Sequence, residues 1–395
     1  MSPKAAVRFA SVFSIPLVLA LVAVSMLLGL LAASTPLVML CVLLFLTMGG
    51  TNLWSRLSLA RLETQLRLDK PRLFPGEVLV LSIEVANAKL LPVWLQVSVP
   101  VASALAPRGA ALTQATALLA YQRATFDWPL EALRRGIHRL GPVELAAADP
   151  LGFFPKKRLA RSIELVVYPR LIPLSSPAQQ RRDLLGRRSA RSPVEDPTQI
   201  QGIREYQPGR AARFIHWKAS ARLDRIVEKM CEPTQHEKLL VLLRADGFDK
   251  AGDGAVLERC LELVASICEQ LDRRRVAFGF VTNARLVGGG AAALRIARHG
   301  SQLHHVLEVL ARFEPAASSD MLELVRSTIT LSRTVTVLAF DYALDAQSAA
   351  LRAFFQQRRM AVATIVCQPD FEGPSGAEAA PRFSLYRLQD LHGEA

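Results

Sequence analysis

Residues 238–281 read KLLVLLRADGFDKAGDGAVLERCLELVASICEQLDRRRVAFGFV, and their patterning decides the fold of the C-terminal half. Leu239, Leu240, Val241, Leu242 and Leu243 form a short unbroken apolar run, the mark of a strand covered on both faces. From Val256 the period changes. Leu257, Cys260, Leu261, Val264, Ile267, Cys268 and Leu271 recur at three- and four-residue intervals, which gathers them on one face of a helix. Residues 276–281 are again strand-like. Further on, Gly288-Gly289-Gly290 marks a loop, 303–313 a helix, 335–340 a strand, 346–357 a helix and 361–366 a strand. Strands alternating with helices predict a mostly parallel, doubly wound α/β sheet over residues 238–395.

Upstream the signals shorten. Pro71, Pro75-Gly76 and Asn87 punctuate apolar-rich segments, among them 78–85 and the alternating VWLQVSV of 93–99. Thr125-Phe126-Asp127-Trp128 is another strand candidate, and the run from Arg135 to Val143 closes the series. This spacing predicts a small β-sandwich over residues 66–155. Residues 156–200 differ in kind. Between 156 and 191 ten basic residues face two acidic ones, Glu164 and Asp183. Residues 163–168 read as one strand and 173–191 as a linker rich in Ser, Pro, Gln and Arg. A charge run of this sort is ordinarily a solvated face. Beneath a membrane it would meet anionic lipid headgroups, at about 1 kcal/mol per cation.

At the N-terminus no charged residue lies between Arg8 and Arg56. One span needs roughly 20 apolar residues, so this stretch is long enough for two. Ala33-Ser34-Thr35-Pro36 supplies a turn between helices at 9–31 and 37–53, with Trp54 at the interface. The hairpin therefore covers 9–54, after a short N-terminus at 1–8 and before an amphipathic exit at 55–65. Gly29 and Ala33 form a small-xxx-small spacing, which either permits close helix packing or simply marks a helix end. Lys4 and Arg8 before the hairpin, and Arg56, Arg61 and Arg67 after it, place both ends in the cytoplasm of a two-pass protein of a bacterial inner membrane. A cleaved signal peptide shares the cationic start, but the apolar run is too long and a second follows at once. The 395 residues carry a formal net charge of +13, which suits contact with an anionic surface. Five cysteines without a CxxC pair make neither a disulfide framework nor a zinc ribbon, and fit a reducing compartment.

Residues 201–237 lie between the two domains. Arg204, Arg213 and Arg222 offer planar forks to carboxylates or phosphates, with Glu205 the nearest internal partner. Pro208-Gly209 is a turn signal, and 211–219 has helical spacing anchored by Ile215 and Trp217. Two readings stay open: a structural knot of Arg–Glu pairs around a buried tryptophan, or a docking site for an acidic partner. The set Arg204, Glu205, Tyr206, Gly209, then Arg213, Ile215, Trp217, Ser220, Ala221 and Arg222 resembles the signature of the "domain of unknown function 58" family. The Arg135-Gly136 to Gly141-Pro142 and Asp149-Pro150-Leu151-Gly152-Phe153 stretches, and the helix hairpin, are similar to it too. Arg210 departs from the pattern, which commonly has an aspartate there. The resemblance implies a C-terminal von Willebrand A-like region and work beside a MoxR-type AAA+ ATPase in protein assembly or maturation. On that basis Arg204, Glu205, Tyr206, Gly209, Arg213, Trp217, Ser220 and Arg222 are the expected partner-binding set.

A von Willebrand A-type site takes a hard cation on an Asp and two hydroxyls at alternate positions after the first strand. Here those positions hold Arg244, Asp246 and Phe248, so neither metal nor cofactor is expected. Thr282 and Asp341 follow later strands, and Asp246 and Asp341 read as loop-capping carboxylates. No P-loop, GxGxxG, HExxH or GxSxG string is present. The expectation is a membrane-anchored, non-enzymatic adaptor with no catalytic residue. One rival is a hydrolase or transferase acting on envelope material through Cys231, His236 or Asp341. A second is a basic nucleic-acid-binding protein, for which no recognisable module appears.

Overall fold

The computed structural model describes residues 14–101, 104–105, 112–148, 156–174, 195–207, 212–233, 238–290, 292–328, 335–371, 376–380, 383–388 and 391. The chain divides into two units, Met1–Tyr168 and Pro169–Ala395. The first opens with helices α1 (Ser14–Leu31) and α2 (Thr35–Ser58). Helix α2 is long and apolar enough to cross a membrane, and α1 contributes a shorter apolar stretch, Leu17–Leu31. Their side chains point outward: Leu21, Leu31, Met39 and Leu46 are each more than half exposed. Gly29 lies where the two helices meet. A Cβ there would stand 3.2 Å from Leu37 and Val38, so its smallness permits the close approach.

The second helix extends past the predicted limit of 53, because its carbonyl end is capped by cations. Lys89 Nζ donates to the carbonyls of Leu57 (2.5 Å), Ser58 and Ala60 (2.8 Å). Arg158 donates to those of Leu59 and Leu62. Such cations satisfy the last carbonyls and oppose the negative end of the helix dipole. Burial, helped by the nearby charge of Arg158, brings the Lys89 ammonium down to about 8.

Ten strands follow among the described residues: β1 (Leu62–Leu68), β2 (Arg72–Leu73), β3 (Val78–Asn87), β4 (Val93–Val99), β5 (Leu112–Leu118), β6 (Arg123–Glu131), β7 (Gly136–Leu140), β8 (Glu144–Ala148), β9 (Lys156–Leu159) and β10 (Ile163–Val167). They form three sheets ordered β1-β3-β6, β2-β10-β7 and β5-β4-β8-β9. Alternate residues enter one core: Leu79, Leu81, Ile83 and Val85 from β3, and Val93, Leu95, Val97 and Val99 from β4. Each such side chain stabilises by about 1.5–3 kcal/mol when fully buried. Two predicted boundaries shift. The exit segment read as 55–65 already contains the start of β1 at Leu62. The β-domain read as ending at 155 runs on to Tyr168, since β9 pairs with β8 and β10 with β7. Lys156 and Lys157 stand exposed on β9, an edge strand, where lysine discourages further pairing. The Asp149–Phe153 motif and linker residues 175–194 lie outside the described residues.

The second unit begins with β11 (Glu195–Glu205), a 3-10 turn at Ala212–Phe214, α3 (Trp217–Leu223) and β12 (Val227–Pro233). Then come β13 (Lys238–Leu243), α4 (Asp246–Ala251), α5 (Gly254–Arg273), β14 (Ala277–Thr282), β15 (Ala284–Leu286) and β16 (Ala293–Ala297). The rest is α6 (Gln302–Arg312), β17 (Phe313–Ala317), α7 (Met321–Thr328), β18 (Val335–Asp341), α8 (Ala346–Gln357), β19 (Ala361–Val366), β20 (Gly376–Ala380) and β21 (Phe383–Arg387). The main sheet is ordered β16-β14-β13-β18-β19-β21-β20. Its inner strands, β14, β13, β18, β19 and β21, are parallel, and the two edges are antiparallel. Leu240 and Leu242 pack with Leu351 and Phe355 of α8, while Leu239, Val241 and Leu243 are buried as well. The apolar stripe of α5, from Leu257 to Leu271, is buried as the spacing predicts, and Asp253 caps its start through the N–H groups of Ala255 and Val256.

Candidate functional site

The parallel strands, counted in chain order, lie 2-1-3-4-5, so the winding reverses between β13 and β18. In open α/β sheets ligands bind at the carboxyl ends of the strands at such a switch point. Here Arg244, the first residue past β13, occupies it. Arg244 Nη1 donates to Asp341 Oδ1 at 3.1 Å and to Asp345 Oδ1 at 2.9 Å. Nη2 reaches Asp345 Oδ2 at 2.9 Å and Gln347 Oε1 at 3.0 Å, making the Asp345 pair bidentate. Nε faces Asp246 Oδ2 at 3.6 Å. Asp345 also caps α8 through the Ser348 N–H. Asn283, past β14, accepts from Ala245 N and donates to Asp246 Oδ2 at 2.8 Å. Arg244 is 4% exposed and Asp341 2%.

The electrostatics follow from the burial. Desolvation opposes the charge of Arg244, but the Asp345 hydrogen bonds and the charges of Asp341, Asp345 and Asp246 outweigh it and raise its pKa. Burial pushes the Asp341 carboxyl up to about 6, although Arg244 pulls the other way. The hydrogen bonds from Arg244 hold Asp345 well below the usual carboxylate range. Asp341 is therefore an acceptor for the guanidinium, not the loop cap expected from sequence. A divalent cation does not fit this site. The position it would take is filled by a guanidinium, and among the described residues no three His, Cys, Asp or Glu converge as a metal requires. Thr282 Oγ1 instead accepts from Ala284 N. Of the groups named for a nucleophilic site, Asp341 is engaged by Arg244, His236 lies outside the described residues, and Cys231 contributes a ladder position opposite Ile200.

The segment at 201–233 is built differently. β11 and β12 pair antiparallel, with Arg204 opposite Glu228 and Glu205 opposite Val227. Arg204 Nε donates to Glu228 Oε1 at 2.5 Å. Glu228 is fully buried and Arg204 40% exposed. The internal partner of Arg204 is thus Glu228, not the adjacent Glu205, because cross-strand register places residues 24 apart side by side. The helix expected over 211–219 is α3, which starts only at Trp217 after the 3-10 turn. His216 caps it, its Nδ1 accepting from Ala219 N at 3.2 Å. Ser220 clasps β12: its Oγ accepts from Val227 N at 3.0 Å and donates to Val227 O at 3.4 Å. Ile215 is buried as an anchor, but Trp217 is not. The indole is 67% exposed, which removes the buried-tryptophan knot. Tyr206 N donates to Ile226 O, and Arg222 faces solvent. Gly209 lies outside the described residues, and Arg213 contributes backbone to the 3-10 turn.

Fold and site together define a protein with an apolar N-terminal helix long enough to cross a membrane, a sheet-rich first unit and a mostly parallel α/β second unit whose switch point is occupied by arginine. Residues 202–372 match the sequence family described as "Protein of unknown function DUF58". YeaD, an uncharacterized protein of Bacillus subtilis (strain 168), is 28% identical over 132 residues, which covers 32% of this chain and 33% of that protein. The match thus spans about a third of the relative's length. Solved structures overlap less closely. A fragment of Escherichia coli alpha-2-macroglobulin gives a TM-score of 0.22 at 13% identity, covering 36% of this chain and 22% of that one. The CARDB domain of a Pyrococcus furiosus protein gives 0.21 at 11%, covering 27% and 91%. Neither likeness bears on fold or function at such scores.

Proposed function

We propose that this protein is a membrane-anchored, non-enzymatic adaptor or scaffold that works with a MoxR-type AAA+ ATPase in protein assembly or maturation. In this reading α1 and α2 both cross the inner membrane, and the two folded units lie in the cytoplasm beside the basic stretch. Flanking cations on both sides of the hairpin support that orientation. The partner-binding role rests on the signature segment. The observation that carries it is the outward Trp217, held at 67% exposure on a helix that Ser220 and His216 clasp to β12. Tryptophan and arginine together, as Trp217 and Arg222 stand on α3, are the residue types in which binding hot spots are enriched. The sealed switch point supports the same reading, since Arg244 leaves its carboxylates engaged with one another's cation.

The test is affinity purification of the tagged full-length chain from detergent-solubilised membranes. An AAA+ ATPase is expected in the eluate, and repeated recovery of none overturns the adaptor role. Topology is checked separately with protease added to intact spheroplasts. Residues 169–395 are expected to survive, and their digestion places them on the other side.

A further inference from the structure

We propose that the outer side of α3 docks an acidic segment of a partner polypeptide, which covers Trp217 with an apolar side chain. The proposal rests on the adaptor reading and gives the partner a chemistry.

The inner side of this excursion is fixed at three points. The His216 N–H donates to Val227 O at 2.9 Å, Ser220 engages both main-chain groups of Val227, and Ile215 bridges Glu228. Ala219 and Ser220 therefore turn inward and are half-buried. With 3.6 residues per turn, Trp217, Lys218, Ala221 and Arg222 face out, and all four are exposed. Leu223 and Ile226 continue the surface at 45% and 52% exposure.

Charge decides which partner fits. Among exposed residues 217–226, Lys218, Arg222 and Arg225 oppose Asp224 alone. A second copy would bring the same cations against themselves, because a two-fold contact repeats one patch on both sides. A bilayer is anionic, but the outward side of α3 mixes Trp217 with Lys218 and Arg222 and lacks the separate broad apolar face that an interfacial helix sinks into lipid. An acidic polypeptide segment satisfies both needs. Its carboxylates meet the Lys218, Arg222 and Arg225 rim and speed encounter, while an apolar residue desolvates the indole.

The experiment places p-benzoylphenylalanine at Ala221 of the full-length chain in native membranes, followed by illumination and mass spectrometry of the adduct. The expected adduct joins a different polypeptide, within a stretch where Asp and Glu outnumber Lys and Arg. Its yield is expected to fall about tenfold or more when Trp217→Ala, Lys218→Glu or Arg222→Glu is added, the loss typical of a hot-spot contact. An adduct to lipid, to a second copy, to another part of the same chain or to a segment without acidic excess overturns the proposal. So does no adduct, or a yield that ignores all three substitutions in variants whose melting matches the parent. Tag purification in parallel separates the two ideas. An ATPase still recovered with Trp217→Ala leaves the adaptor standing and removes this face, whereas recovery from neither chain removes the adaptor.

Discussion

Arg244 and Arg204 each hold a guanidinium against a buried carboxylate, in opposite surroundings. Arg244 is 4% exposed, and its forks are taken up by Asp341, Asp345 and Gln347. Arg204 is 40% exposed and spends one edge on Glu228, on a strand pair that carries an uncovered tryptophan nearby. The first arrangement closes a place where doubly wound sheets commonly take ligands. The second stiffens a short excursion and leaves its outer face available. In this chain the place expected from general topology is filled by a buried ion-pair cluster, and the signature segment presents an exposed face.

The sharpest way to break that contrast is at Arg244. Arg244→Met is expected to cost about 3–5 kcal/mol, since removing one partner leaves Asp341 buried without its cation. Urea unfolding measures it, and a loss under about 1 kcal/mol would mean the cluster holds nothing together. Arg204→Ala comes next at about 2 kcal/mol, smaller because solvent reaches Arg204 and reduces the strength of its pair with Glu228. Equal losses at the two arginines would erase the distinction.

A pH series sharpens it further. The Asp341 carboxyl is pushed up from 3.8 to about 6 by burial, so the folded chain keeps a proton there that the unfolded chain has lost. That contribution to stability is complete below about 3.8 and disappears as pH rises through about 6. Asp345 works in the other sense and at lower pH, because its carboxyl is held below the usual range. The parent is therefore expected to lose stability relative to Asp341→Asn as pH rises from 4 to 6. A flat difference would place the titration elsewhere. The smallest effect belongs to Trp217→Ala, which should change stability by no more than about 0.5 kcal/mol, as for other surface substitutions. A melting point lowered by several degrees would show that the indole is packed after all.

Much of the architecture was legible because it is local. The apolar-rich run of 78–85 and the period-two alternation of 93–99 appear as β3 and β4, and the 3.6-residue stripe from Leu257 to Leu271 as the buried face of α5. The cap of α8 was legible in principle from Asp345 and Ser348, three apart. Trp217 was misread because apolar character predicts burial on average, while its neighbours Ile215, His216 and Ser220 had already fixed which side of the excursion faces β12. The antiparallel edges β16 and β20 were missed because their short segments, ALRIA and GAEAA, lack an apolar run.

By itself, the sequence determined the apolar N-terminal helices, the strand-rich first unit, the strand–helix alternation of the second and the cation past the first parallel strand. Each depends on side chains a few residues apart, where helix and strand periods alone set which face is apolar. Only the tertiary structure decided that Arg244 meets Asp341 and Asp345, 97 and 101 residues away, and that Arg204 meets Glu228 while Trp217 stands in water. Those outcomes come from strand order and register, which bring distant residues together with no trace in local spacing.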